Sequence, residues 1–82
     1  MMKKAIVFGA GLSGHGAKEL LEKNGYNVFL VDDKTGLKSE EGIRILNENN
    51  IEFIVKSPGI PWDAVLLITA GIKKIRVIAE ID

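Results

Sequence analysis

Three glycines near the start of the chain, Gly9, Gly11 and Gly14, have the spacing G-x-G-x-x-G. They follow the apolar residues 5–8 (AIVF) and precede a segment with helical periodicity. A glycine loop between a strand and a helix can offer its backbone N–H groups to an anion at the positive end of the helix dipole. The pattern therefore predicts that residues 11–14 bind a phosphate group, although glycines at this spacing also form tight turns without a ligand.

Two other stretches could contact the same ligand. Asp32 follows the second apolar run, 18 residues after Gly14, close to the offset of about 20 residues at which dinucleotide-binding folds place an acid on a ribose. This spacing favours a nicotinamide or adenine dinucleotide, whereas the neighbouring Asp33 is better explained as part of a solvated turn. In residues 57–61 (SPGIP), two prolines hold the backbone around Gly59, so that peptide groups and the Ser57 hydroxyl are exposed where a strand ends.

The elements that must position these residues alternate between strand and helix. The runs AIVF and VFLV are almost continuously apolar, which is typical of parallel strands covered on both faces. The order βαβαβαβ predicts a Rossmann-like open α/β sheet of about four parallel strands with helices on both faces, and ligands bind beyond the carboxyl ends of such strands. The predicted strands are residues 4–8, 27–32, 52–56 and 76–81, and the predicted helices are residues 13–23, one starting at residue 39, and one starting near residue 61 or 63.

Each predicted helix has an expected inner face and an expected end. We expect Gly25 to end the first helix in a left-handed conformation and the Ser39 hydroxyl to cap the second. Gly71 either ends the third helix early or lies inside a helix that continues to Lys74. The side chains expected to face the sheet are Ala17, Leu20 and Leu21 in the first helix, Ile43 and Leu46 in the second, and Val65, Ile68, Ile72 and Ile75 with the third.

Composition narrows the function classes. The chain has 82 residues, 46% of them hydrophobic, with 11 basic and 11 acidic residues, so we expect one small domain with no net charge to attract nucleic acid or a membrane surface. It has no cysteine and one histidine, His15, which argues against disulfides and metal sites. The N-terminus has no signal-peptide pattern and no apolar stretch reaches the about 20 residues of a membrane span, so a cytoplasmic location is expected.

Four features together resemble a known family. They are GAGLSG after the first strand, Asp32 after the second, KSPGIP after the third, and GIKKIRVIAEID at residues 71–82. In this combination the chain resembles the N-terminal domain of the Mur ligases of bacterial cell-wall synthesis, most closely the D-glutamate-adding members. The resemblance covers nearly all of the chain, and the SPGIP segment is far more specific than the glycine loop.

The resemblance implies a substrate-binding role for the whole chain. Residues 1–82 would be a single domain that binds the UDP part of the nucleotide-sugar substrate UDP-N-acetylmuramoyl-L-alanine. The backbone of Leu12, Ser13 and Gly14, next to Gly11, would contact the diphosphate and Asp32 the uracil. The other wall of the site would be formed by Ser57, Pro58, Gly59 and Ile60.

The chain also departs from the family pattern. Family members have about five strands where four are expected here, a glycine where this chain has Lys74, and a proline where it has Arg76. The resemblance implies that ATP and Mg²⁺ are needed by the full-length enzyme, yet the chain has no G-x-x-x-x-G-K-[ST] loop. We therefore expect the central ATPase and C-terminal domains to be absent from this fragment, no catalytic residue in it, and no activity of the chain alone.

Other readings of the sequence remain open at this point. The chain could be an NAD-binding module of a dehydrogenase or regulatory protein, the N-terminal domain of another Mur ligase, or an interaction domain that has lost its ligand. His15 is expected to be a solvated residue of the first helix, and Lys73 and Lys74 a solvated helix end. Trp62 is expected to be partly buried at a helix start or, alternatively, to pack against a missing domain or the ligand.

Overall fold

The fold is taken from a computed structural model that describes residues 3–9, 12–34 and 36–79, with residues 12–14 described in their backbone alone. The chain alternates strictly between strand and helix. The strands are β1 (Lys3–Phe8), β2 (Tyr26–Val31), β3 (Ile51–Lys56) and β4 (Arg76–Ala79), and the helices are α1 (Leu12–Lys23), α2 (Ser39–Glu48) and α3 (Val65–Ile72). The end of the predicted fourth strand, residues 80–81, lies outside the described residues.

The four strands form one parallel sheet in the order β2-β1-β3-β4. In its register, Phe8 of β1 lies between Val31 of β2 and Lys56 of β3, so the carboxyl ends of these strands lie level with one another. At the opposite end of the sheet, the Lys4 ammonium donates to the Asn49 side-chain oxygen at 2.8 Å, just before β3 begins. The predicted Rossmann-like open sheet of four strands is confirmed.

The two faces of the sheet are covered by different helices. Ile6 and Phe8 point to the face on which α2 and α3 pack, and Ala5 and Val7 point to the other face, where α1 packs on β1 and β2. Right-handed crossovers require this arrangement, because the chain moves one way from β1 to β2 and the other way from β2 to β3 and β4. The main buried cluster comprises Ile6, Phe8, Val31, Ile45, Leu46, Ile51, Ile54, Leu66, Leu67 and Ala70.

Helix α2 begins at Ser39, as predicted, but it is not capped as predicted. Lys38 occupies the N-cap position without a side-chain capping bond. The Asp33 carboxylate accepts the backbone N–H of Ser39 at 2.9 Å and also bonds the Ser39 hydroxyl at 3.3 Å. The prediction that the Ser39 hydroxyl caps the helix was therefore wrong. An aspartate of the preceding loop instead accepts the N–H group at the start of the helix. Asp33 is exposed, as expected, and has this capping role as well.

The inner face predicted for α3 was wrong. Val65, Ile68 and Ile72 are 64%, 51% and 78% exposed, whereas Leu66, Leu67 and Ala70 are the buried residues of this helix. The helix starts at Val65, later than predicted, because residues 61–64 form a turn in which the Ala64 N–H donates to the Pro61 carbonyl at 3.2 Å. Ile75 is partly buried as expected, and Leu20 of α1 is exposed against expectation.

Both α1 and α3 end at a residue with a left-handed backbone. Gly25 has a φ of 88°, as predicted, and Lys74 has a φ of 61°. At the end of α3 the N–H of Ile75 donates to the Ala70 carbonyl at 2.8 Å and the N–H of Lys74 to the Gly71 carbonyl at 3.1 Å, which is the Schellman pattern. Gly71 thus lies inside the helix, which ends at Ile72.

Candidate functional site

The carboxyl ends of β1 and β3 form the switch point of the sheet. From β1 the chain crosses to one side and from β3 to the other, and open α/β sheets bind ligands in the crevice at such a point. Backbone hydrogen bonds continue past the strands here: the Gly9 N–H donates to the Val31 carbonyl at 2.8 Å, and the Ser57 N–H donates to the Phe8 carbonyl at 3.0 Å. The three loops that follow β1, β2 and β3 therefore start side by side.

Gly9 brings the loop after β1 into contact with the loop after β3. Its φ is 102°, and a Cβ atom placed on it would lie 2.6 Å from the Ser57 Cβ and 3.2 Å from the Ile60 Cγ1. A side chain at this position is excluded both by the backbone conformation and by its neighbours. The first glycine of the G-x-G-x-x-G pattern is thus required for the approach of the two loops.

The remaining residues of the predicted phosphate loop can be placed only in part. Gly11 lies outside the described residues. The backbone of Leu12, Ser13 and Gly14 forms the first turn of α1, directly after the loop. The N–H groups of a first helical turn have no acceptor within the helix and carry the positive end of its dipole, so they can bind an anion.

Asp32 is held at the end of β2 by the backbone of its own loop. Its N–H donates to the Leu37 carbonyl at 2.7 Å, and the Leu37 N–H donates to the Leu30 carbonyl at 2.9 Å. One carboxylate oxygen of Asp32 accepts the Lys34 N–H at 2.8 Å, which orients the side chain. Gly36 allows this tight loop, because a Cβ there would lie 2.7 Å from the Leu30 carbonyl oxygen. The half-buried Asp32 is consequently positioned on one side of the switch point.

Residues 57–60 form a compact turn on the other side of the switch point. The Ile60 N–H donates to the Ser57 carbonyl at 3.1 Å. Ser57 and Ile60 are half-buried, while Pro58 and Gly59 between them are exposed. The structure thus places all the described members of the predicted site at the same edge of the sheet, with residues 57–60 next to Gly9 and Asp32 directly after β2, the strand beside β1.

Sequence reasoning missed Lys56, the last residue of β3. This lysine is 4% exposed, and its ammonium donates to the Ser57 carbonyl at 3.1 Å and to the Ile60 carbonyl at 2.6 Å. It also lies 4.9 Å from the centroid of the Trp62 ring. Trp62 itself is 60% exposed, so the expectation of partial burial underestimated its exposure. The sequence signal that could have identified Lys56 is its spacing: it follows the inward-facing Ile54 by two residues in the same strand, so its side chain lies on the same face.

The other residues considered from the sequence are exposed. His15 lies on the surface of α1, and Lys73 and Lys74 lie on the surface at the end of α3, as expected. Within residues 3–9, 12–34 and 36–79, no three His, Asp or Glu side chains form a group that could hold a metal ion. No helix in that same part of the chain is long and apolar enough to cross a membrane.

Comparison with known proteins adds the sequence relationship. A UDP-N-acetylmuramoylalanine--D-glutamate ligase of Fusobacterium nucleatum is 55% identical over 62 residues, which cover 76% of this chain and 14% of that protein. Ligases of the same name from Microcystis aeruginosa and Streptococcus gordonii are 39% and 36% identical and cover 99% and 98% of this chain, but 22% and 21% of their own lengths. No protein-family model and no solved structure matches the chain.

The longer alignments contain more positions than this chain has residues. The alignment with the Microcystis protein runs over 97 positions, 15 more than the 82 residues of this chain, so that relative has residues for which this chain has no counterpart. The chain spans 14 to 22% of the length of the relatives it matches. By this similarity it belongs to the family of UDP-N-acetylmuramoylalanine--D-glutamate ligases, as the counterpart of an N-terminal segment of those proteins.

Proposed function

We propose that this chain binds the uridine diphosphate part of UDP-N-acetylmuramoyl-L-alanine, as the N-terminal domain of a D-glutamate-adding ligase of peptidoglycan synthesis. The observation that carries the proposal is the contact between Gly9 and Ser57 at the switch point of the sheet. This contact places the glycine loop and residues 57–60 together, and a dinucleotide fingerprint alone does not explain why the second loop is there. The name of the relatives supports this class of substrate.

The diphosphate is assigned to the start of α1. Two phosphate groups need several donors close together, and the backbone N–H groups of Leu12, Ser13 and Gly14 lie in a first helical turn. The helix dipole adds a favourable electrostatic contribution for an anion in this position. Gly11, which precedes the helix, is the fourth residue assigned to this part of the site.

The uracil is assigned to Asp32. A uracil ring has one N–H donor at its pairing edge, and a carboxylate is an acceptor for it. Asp32 is held by backbone bonds at the end of β2, and the Lys34 N–H fixes the orientation of its carboxylate. Residues 57–60 are then assigned to the opposite wall, where the exposed Pro58 and Gly59 offer apolar atoms and peptide groups.

The chemistry of amide formation is assigned to other parts of a longer polypeptide. Activation of a carboxylate by ATP requires Mg²⁺ and a phosphate-binding loop for the transferred phosphoryl group. The 82 residues contain no G-x-x-x-x-G-K-[ST] motif. We propose that central and C-terminal domains supply these groups in the full ligase, and that the role of this chain is to hold the nucleotide end of the substrate.

The test is an amide NMR titration of the 82-residue chain with UDP and, separately, with NAD. UDP is expected to shift the signals of residues 11–14, Asp32 and residues 57–60 together, because diphosphate, base and opposite wall belong to three loops. A single domain is expected to bind part of the substrate with modest affinity. The expected dissociation constant is about 1 mM, which corresponds to a binding free energy of roughly −4 kcal/mol. Tight NAD binding without a response at residues 57–60 would replace this proposal with a nicotinamide-binding module.

Two neighbouring acids provide a matched pair of variants for the base contact. Asp32→Ala is expected to weaken UDP binding by roughly 1 to 3 kcal/mol, because it removes the acceptor assigned to the uracil. Asp33→Ala makes the same change in charge, but Asp33 is directed at the start of α2, so the UDP affinity should be unchanged. Equal losses of affinity in the two variants would point to a general charge effect and would contradict the assignment of Asp32.

A further inference from the structure

Lys56 stands apart from every other charged residue that the structure describes. It is the only described charged side chain that is buried, with 4% of its surface exposed. It follows Ile54 by two residues in β3, so both side chains point to the face that carries the main buried cluster. A lysine in such a position is strongly unfavourable unless its ammonium group finds good hydrogen-bond partners.

The partners of Lys56 all belong to the loop that directly follows it. Its Nζ donates to the carbonyl oxygens of Ser57 and Ile60, at 3.1 and 2.6 Å, which are the two ends of the turn. The Ser57 carbonyl also accepts the Ile60 N–H at 3.1 Å. The turn is thus closed twice, once by its own backbone and once by the ammonium group.

The Trp62 ring lies over the same ammonium group. The Lys56 Nζ lies 4.9 Å from the centroid of the indole ring, within the range of a cation–π contact. The ring is 60% exposed although it is large and apolar. Its position is explained by this contact, since a ring over the cation excludes water that would otherwise compete for the two carbonyl bonds.

We propose that Lys56 is a positioning residue for residues 57–60, the wall assigned to the ligand, and that Trp62 shields its ammonium group from water. By drawing the Ser57 and Ile60 carbonyls toward one point, Lys56 fixes the peptide planes at both ends of the turn and therefore the surface of Pro58 and Gly59. The same bonds hold the Ser57 side chain against Gly9. The effect on the ligand rests on the proposed function, whereas the effect on the loop does not.

The first experiment needs no ligand. Lys56→Met keeps most of the length of the side chain and removes its charge and donors, whereas Lys56→Arg keeps both charge and donors. Lys73→Met is a control at an exposed site at the far end of α3. In amide NMR spectra, Lys56→Met should shift the signals of residues 57–60 and Lys73→Met should not. The fluorescence of Trp62, the only tryptophan of the chain, should change in Lys56→Met and remain as in the wild type in Lys73→Met.

The second experiment measures UDP binding by the same variants. Lys56→Met should raise the dissociation constant for UDP about tenfold, because it removes hydrogen bonds to a charged group that hold the wall in place. Lys56→Arg should recover part of the affinity and of the wild-type spectrum, and Lys73→Met should bind as the wild type does. Equal effects of Lys56→Met and Lys56→Arg would show that only side-chain packing matters and would overturn the proposal.

The outcomes separate this inference from the proposed function. If the wild-type chain does not bind UDP, the proposed function fails, and the role of Lys56 is then decided by the ligand-free spectra. Unchanged signals of residues 57–60 in Lys56→Met would overturn the positioning role of Lys56. If that variant does not fold, Trp62→Leu replaces it: this change should speed the exchange of the Lys56 ammonium protons with water and shift the loop signals, and unchanged exchange would overturn the inference.

Discussion

The two edges of the sheet are built in different ways. At the amino edge, α1 and α3 are followed by left-handed residues, Gly25 and Lys74, and the bonds that close these helix ends join each helix to the residues directly after it. At the carboxyl edge, the loops depend on one another: Gly9 lies against Ser57, and Lys56 is buried under the turn that follows it. The two helix ends are therefore closed locally, whereas at the carboxyl edge the loop after β1 contacts the loop after β3.

This difference indicates that the residues at the carboxyl edge are restricted by the proposed ligand binding as well as by folding. A locally closed helix end tolerates several residue types, as the lysine in place of a glycine at position 74 illustrates. The carboxyl edge instead combines a glycine with no room for a side chain and a buried cation. Both features are unfavourable for stability by themselves, and they occur at the edge where parallel sheets bind ligands.

The largest expected effect compares two glycines with positive φ, one at each edge. Gly9→Ala should lower the free energy of unfolding by about 3 kcal/mol, because backbone strain is added to overlap with Ser57 and Ile60. Gly25→Ala should cost about 1 kcal/mol, because a Cβ there meets nothing within 4 Å and only the strain remains. Urea unfolding of both variants measures the difference. Equal losses would mean that the two edges are not distinct.

The second effect concerns the loop that holds Asp32. Gly36→Ala should lower the free energy of unfolding by about 2 kcal/mol, because its Cβ would lie 2.7 Å from the Leu30 carbonyl oxygen and the loop must shift. Gly16→Ala on the surface of α1 is the control and should raise stability by about 0.5 to 1 kcal/mol through helix propensity. Thermal unfolding that ranks Gly36→Ala at or above the wild type would refute the tight loop.

A third test asks whether Asp33 closes the start of α2. Asp33→Ala should cost about 1 kcal/mol, since the Ser39 N–H loses its acceptor. Asp33→Asn keeps an oxygen acceptor and should retain most of the stability. Hydrogen exchange at the Ser39 amide should become faster in Asp33→Ala and much less so in Asp33→Asn. Similar exchange in both variants would assign the effect to charge rather than to the hydrogen bond.

The smallest expected effect is a change in the free energy of unfolding when either of two adjacent lysines is replaced by glycine, with opposite signs at the two positions. Lys74→Gly should raise the free energy of unfolding by about 0.5 to 1 kcal/mol, because glycine adopts a φ of 61° without strain. Lys73→Gly should lower it by a similar amount, roughly 0.5 to 1 kcal/mol, because Lys73 has a right-handed backbone with a φ of −83°. Chemical unfolding of the pair measures both. The same sign for both variants would disprove the left-handed cap at Lys74.

The strands and their parallel arrangement could be predicted, because β1 and β2 are apolar almost throughout and are separated by a segment of helical length. The inner face of α3 could not. Its sequence, VLLITAGI, is apolar on nearly every side, so that the spacing of Val65, Ile68 and Ile72 is as regular as that of the residues that are buried. Apolar periodicity therefore could not distinguish the buried face of this helix from its exposed face.

The candidate site was predictable to the extent that it follows strand ends. Glycines, an acid and prolines at those ends could be recognised by type and position in the chain. The role of Lys56 could not be recognised in this way, because a lysine next to a loop is most often solvated and its two acceptors are carbonyl groups, which every residue has. Its function in the loop is apparent only from the distances.

The central position of β1 has a consequence for how the molecule folds. β1 is the first strand of the chain, yet it pairs with β2 on one side and β3 on the other. The Lys4–Asn49 bond beside the second pairing joins residues 45 positions apart, and the entropy of closing such a loop must be lost before the pairing contributes. The pairing of β1 on both sides is therefore completed only after α1 and α2 have been traversed, and the strand that is synthesised first remains without one neighbour until β3 is available.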